Sequence, residues 1–135
     1  MDKKDAFAAV ALAAVACDGT LGRDEAHALR RQLEFRSLYN ASSEAEMGDL
    51  FDRLLRRLRE NGVEGLVSEA VPVLTGIQKE SALAVAAQLV HADRQVLAAE
   101  AEFLQKLAIQ LDLADGQAQA ILRAIEALNR DSLGE

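Results

Sequence analysis

At 135 residues the chain has the size of a single domain, 1–135, and can bury a core without metals or cross-links. Half of its residues are hydrophobic while Phe, Tyr and Trp together supply 4%, so the apolar share is mostly Ala and Leu, which favours an all-α fold over β-sheet, and a single proline agrees. Twenty-two acidic against fifteen basic side chains give a formal charge of -7, which argues against nucleic acid or anionic lipid as the partner and suits a cation or a basic protein surface; one cysteine excludes an intramolecular disulfide and a cysteine-based zinc site.

Seven helices are predicted. The first spans about 3–17. Its opening, MDKKDAFAAVALAAVAC, superficially resembles a secretory signal, but Asp2 and Asp5 lie in the charged part and the run enters a turn that starts another amphipathic segment, so it reads as helix one of the fold. No apolar run reaches the length of a membrane span. After CDGTLG the second helix runs over about 23–38 and ends before YNASS. Ser43 and Glu46 form a capping box that opens the third helix, which stops at Asn61-Gly62. It places Met47, Leu50, Phe51, Leu54, Leu55 and Leu58 on one stripe and Arg53, Arg56, Arg57 and Arg59 on the other side. The fourth, about 63–77, should bend or split at Pro72. The fifth, about 79–92, is almost entirely small or apolar, as expected of an element surrounded by others. The sixth covers about 98–111, and the last opens on Asp115 and ends near Asn129, with Ile121, Leu122, Ile125 and Leu128 facing inward.

An internal duplication stands out. Residues 4–29, KDAFAAVALAAVACDGTLGRDEAHAL, align without a gap on residues 79–104, KESALAVAAQLVHADRQVLAAEAEFL, at an offset of 75, with nine of twenty-six positions identical. The alanine matches carry little weight in an alanine-rich chain. The polar ones carry more, because Asp18 and Glu25 recur as Asp93 and Glu100 around an aliphatic residue, Leu21 or Val96. Each unit is a helix, a turn and a second helix, and two such hairpins can bury their apolar stripes against each other in a pseudo-two-fold arrangement.

If the hairpins pack in that way, Asp18, Glu25, Asp93 and Glu100 converge at one end, where they either bind a hard cation through oxygen or repel one another. The alternative role is structural: an Asp after a helix accepts neighbouring N–H groups, and a Glu in a first turn is favoured by the unpaired N–H groups there. Gly19, Leu21 and Glu25 match the second half of an EF-hand loop, but Ala14 and Ala16 stand at its first and third positions, and the second copy has Arg94 for the glycine, so any ion needs ligands from both hairpins. His91, near the second pair, is the better of two histidines for a transition metal; His27 lies inside a helix. Cys17 reads as a buried thiol beside a carboxylate that disfavours its ionised form. Tyr39, Phe35 and Phe51 read as core or loop anchors. No Gly-rich phosphate loop, paired-histidine zinc motif or serine elbow is present, so no enzyme is predicted. The basic string RLLRRLREN at 53–61 is a solvated face or a docking surface for an acidic partner.

The stretches CDGTLGRDEAHAL at 17–29 and HADRQVLAAEAEFLQKLA at 91–108 resemble the tellurite-resistance TerB family and the broader TerB-like domains. The similarity covers roughly residues 4–128. It implies a bundle of about seven helices, a stress-response role without an enzymatic reaction, and a divalent cation (calcium, magnesium, manganese or zinc) held by Asp18, Glu25, Asp93 and Glu100. It also implies a cytoplasmic location peripheral to the inner membrane and, as partners, other tellurite-resistance proteins. Arg94 departs from the family's usual glycine, and Gly22 and Leu97 stand where a Ser or Thr cap is common, which leaves those helix starts to Glu25 and Glu100. The alternative function is a protein-interaction or scaffold module without metal, and the alanine-rich surfaces leave room for a homodimer.

Overall fold

A computed structural model describes residues 1–19, 21–92 and 95–133; Thr20, Asp93, Arg94, Gly134 and Glu135 lie outside the described residues. The described chain folds into six packed α-helices: α1 (Lys3–Ala16), α2 (Arg23–Leu33), α3 (Glu44–Ala70), α4 (Gly76–His91), α5 (Ala98–Leu111) and α6 (Gln117–Asn129), with a 3₁₀ turn at Val71–Val73.

The centre is α1. Asp2 starts it by accepting the N–H of Asp5 at 2.8 Å, and from Ala6 to Val15 every residue is buried. A helix covered on all sides cannot show an apolar stripe; it needs small side chains so that several neighbours can approach, and alanine meets that need with the best helix propensity. α3 and α4 make the main contacts with α1, and α4 in turn carries α5 and α6. The capping box expected at the start of α3 is present: Glu46 N–H donates to Ser43 Oγ at 3.1 Å and Ser43 N–H to Glu46 Oε1 at 3.0 Å. An unanticipated second one, Thr75 with Gln78, opens α4 three residues earlier than expected.

The segments read as the third and fourth helices form one element. α3 runs from Glu44 to Ala70 but breaks at Gly62, whose φ of 73° and ψ of 178° lie outside the helical region, so the stop expected at Asn61-Gly62 is present as a kink between two helical segments that are counted as one element among the six. Pro72 lies in the 3₁₀ turn, and Leu74 is extended, so the split expected there occurs. Met47, Leu50 and Leu54 are buried, and Phe51, Leu55 and Leu58 pack half-buried against the core. Half of the arginine face is used within the fold: Arg53 pairs with Asp5 at 3.0 Å and Arg57 with Glu69.

α2 stops at Leu33, short of the expected 38, because the N–H groups of Arg36 and Tyr39 donate three residues back, to Leu33 and Arg36, and tighten the chain into turns. The turns deliver Tyr39 into the core, where it is 2% exposed and donates its hydroxyl to the Lys4 carbonyl at 2.6 Å. Phe35 was expected as an anchor but is 84% exposed. Asp115 does not cap α6; Gly116 holds that position with φ 77° and reverses the chain. α6 has no buried residue. Ile121, Leu122 and Ile125 lie half-buried on the core, whereas Leu128, expected to face inward, is 69% exposed. Side chains pin the helix at both ends, Gln117 to Glu80 and Asn129 to Gln88. Among the described residues no helix is long and apolar enough to cross a membrane.

Two glycines of α3 separate backbone strain from helix propensity. Gly62→Ala forces a side chain into a region nearly reserved for glycine and should destabilise by about 1–3 kcal/mol. Gly48→Ala, with open space where its Cβ would lie, should stabilise by about 1 kcal/mol. Urea unfolding of both variants measures the opposite signs.

Candidate functional site

Four helix ends meet at one place. α1 ends in the turn Cys17–Gly19, where Gly19 takes φ 86° and its N–H donates to the Ala16 carbonyl at 3.0 Å. The chain then enters α2 at Gly22, which has no side chain to cap the helix. Glu25, in the first turn, folds back instead: its Oε2 lies 2.7 Å from where a Cβ on residue 22 would stand, so the absence of that atom gives the carboxylate its space. On the other side α4 ends at His91 and α5 begins after Leu97, which likewise offers no acceptor. There Leu97 N–H donates to Glu100 Oε1 at 2.9 Å. The compensation expected from the missing Ser or Thr caps is thus made by Glu100.

Between these ends lies a cleft of about 290 Å³. Asp18, Glu25 and Glu100 line it together, although Glu100 lies 75 positions beyond Glu25. Asp24 joins them, a residue that sequence reasoning passed over despite its place next to Glu25 in the first turn of α2. Val15, Ala28 and Leu89 contribute apolar surface. The fourth expected ligand, Asp93, lies outside the described residues, as does Arg94. His91 is elsewhere: it lines a separate cleft of about 340 Å³ with Val96, Leu122 and Glu126. His27 is exposed on α2.

Among the described residues no three of His, Cys, Asp and Glu stand close enough together to hold one metal ion. The carboxylates therefore share the walls of a cleft without being gathered around one point. Local forces account for this. Glu100 is held by a backbone N–H of its own helix start, Glu25 is folded over Gly22, and both benefit from the positive end of the helix that carries them. The same carboxylates act on Cys17. Burial, then the negative charges of Glu100 and Asp18, push its thiol from 9.0 up to about 11, outweighing the opposing backbone hydrogen bond; Sγ donates to the Ala14 carbonyl at 3.2 Å. At neutral pH this sulfur is a protonated thiol and a poor nucleophile.

No protein-family model, no curated protein and no solved structure matches the chain.

Cys17 offers a direct probe of the field at the cleft. With its thiol near 11, the thiolate fraction at neutral pH is about a hundredfold below that of an ordinary cysteine, and the greater intrinsic reactivity of a more basic thiolate recovers about tenfold. Alkylation by iodoacetamide should therefore run about tenfold slower than for free cysteine, and its rate should still be climbing above pH 9.0. Removing one carboxylate with Glu100→Gln should speed it.

Proposed function

We propose that the chain is a non-enzymatic, stress-response domain of the tellurite-resistance TerB type, whose acidic cleft takes up a divalent cation. The observation that carries this reading is the shared cleft: Asp18 and Glu25 from the α1–α2 hairpin and Glu100 from α5 line the same cavity. The duplication supplies the reason. α1 ends at Ala16 and α4 at His91, while α2 begins at Arg23 and α5 at Ala98, each pair 75 positions apart. Two helix-turn-helix units, 4–29 and 79–104, related by a pseudo-two-fold, would bring equivalent acidic residues to the same region, and Asp93 would be the partner of Asp18.

In this reading the cap carboxylates have two occupations. Without an ion, Glu25 and Glu100 stay at their helix starts; with one, they and Asp18 turn toward the cleft and water completes the shell. The oxygen-only set suits calcium, magnesium or manganese better than zinc, since Cys17 is protonated and His91 lines another cleft. Moving ligands out of cap positions costs affinity, so binding belongs at the weak end of the calcium range. The thiol, kept protonated by burial and by the charges of Glu100 and Asp18, supports a role without catalysis. A cytoplasmic location and other tellurite-resistance proteins as partners follow from the same resemblance.

Calorimetric titration with the four ions should give saturable binding with a Kd of roughly 10⁻⁵ to 10⁻³ M, tightest for a hard cation. Glu25→Gln with Glu100→Gln keeps an acceptor at each helix start while removing both charges, and should abolish binding with little change in helix content. Absence of saturable heat in the parent protein would defeat the cation reading. Deleting the gene should also sensitise its host to tellurite, and unchanged tolerance would refute the stress assignment.

A further inference from the structure

α2, which borders the acidic cleft, is thinly covered: of its 11 residues only Leu29 and Leu33 are buried. Its stripe on the side of α4, stepping by threes and fours, reads Asp24 and Glu25, then the half-buried Ala28, then Arg31 and Gln32, and ends just past the helix at Phe35. This stripe borders a continuous groove against the C-terminal end of α4. The acidic cleft occupies one end, and a second cleft of about 300 Å³, lined by Arg31, Gln32, Phe35 and Gln88, occupies the other. Ala28, Leu89 and Ala92 line both clefts, which therefore adjoin each other along α2 and α4.

We propose that this face pairs with a second copy of the chain, α2 against α2, antiparallel and centred on Ala28. The charge pattern selects that occupant. The stripe is acidic at its N-terminal end and cationic at its C-terminal end, so it is its own complement when reversed, which is the condition an interface between identical subunits across a two-fold must meet. Glu25 and Arg31 are equidistant from Ala28, so each copy's Glu25 faces the partner's Arg31 at two symmetric places. Asp24 and Gln32 are likewise equidistant, and the amide of each Gln32 donates to the partner's Asp24. A parallel pairing instead sets Glu25 on Glu25 and Arg31 on Arg31, which a chain of net charge -7 has no surplus of cations to relieve. Ala28 at the crossing point lets the two backbones approach to roughly 8 Å, the close end of helix packing. Arg30, the neighbouring cation, is turned to the opposite side, where it pairs with Glu44 at 2.5 Å, leaving Arg31 as the arginine of α2 on this groove.

Pairing also accounts for Phe35. An aromatic ring 84% exposed beside a groove with an apolar floor is covered once a second helix fills that groove. The contact is short, since 11 residues of helix span roughly 16 Å, which sets it at the small end of interface size. It needs no metal, and although Glu25 serves both readings, a chelator lets the pairing stand or fall apart from the cation reading.

Sedimentation in the presence of a chelator, from low micromolar to near-millimolar protein, tests the pairing. The parent chain should shift from 14.6 kDa toward twice that mass as concentration rises. Arg31→Glu alone and Glu25→Lys alone each set like charges together and should remain monomeric. Mixing the two variants restores opposite charges at both contacts and should recover the dimer. Phe35→Glu, at a position too exposed to matter for folding, should weaken association at least tenfold. A parent protein that stays at 14.6 kDa throughout overturns the proposal, as does a dimer indifferent to Arg31→Glu and Phe35→Glu, or a mixture of charge variants that does not associate.

Discussion

The fold depends on one helix being buried on every side. Ten consecutive residues of α1, from Ala6 to Val15, have no face toward water, and a helix in that position must be narrow enough for its neighbours to close around it. Alanine at Ala6, Ala8, Ala9, Ala11, Ala13 and Ala14 makes it so, while Phe7, Val10, Leu12 and Val15 fill the space between the packed elements. The central position also determines where the chain can do chemistry. A rod enclosed by α3 and α4 reaches solvent only at its ends, and its C-terminal end opens onto the acidic cleft.

At that cleft, two demands on the same carboxylates are in balance. The helix start at Leu97 carries no capping side chain and its N–H draws in Glu100, while at Gly22 the missing Cβ leaves Glu25 room to fold back. Those acids, with Asp18 and Asp24, nevertheless border one cavity, and their field extends to the sulfur of Cys17. Charge in the cleft is thus held in part by local backbone dipoles while it lines the cavity. Neither demand excludes the other, because a carboxylate has more acceptor sites than one N–H can use.

Much of this was legible in the sequence wherever a residue pattern has a short-range cause. The α5 boundaries, the Ser43–Glu46 box, the stripe of α3, the break at Gly62 and the substitution of Glu100 for a missing cap all follow from neighbours within four positions. Asp18, Glu25 and Glu100 line one cleft, but they are not gathered around one point, and Asp93 lies outside the described residues. Misreadings arose where the tertiary context decides. Asp115 has the right chemistry for a cap, but the left-handed turn at Gly116 takes that position. Leu128 keeps the helical spacing of an inward residue but lies exposed near the end of α6. Phe35 looked like an anchor by type alone, whereas the tight turns after Leu33 hand that task to Tyr39. The Thr75–Gln78 box and Asp24 were readable by the same local rules and were passed over.

The attachment of α6 carries a consequence for how the molecule opens. A helix with no buried residue is held against α4 by a half-covered row of Ile121, Leu122 and Ile125 and by one side-chain bond near each end. Its release leaves α1, α3 and the packing between them intact while baring the side of α4 it covered. Opening α6 exposes only half-covered side chains, so its amide protons exchange through a cheaper excursion than those of α1, whose protection requires dismantling the whole.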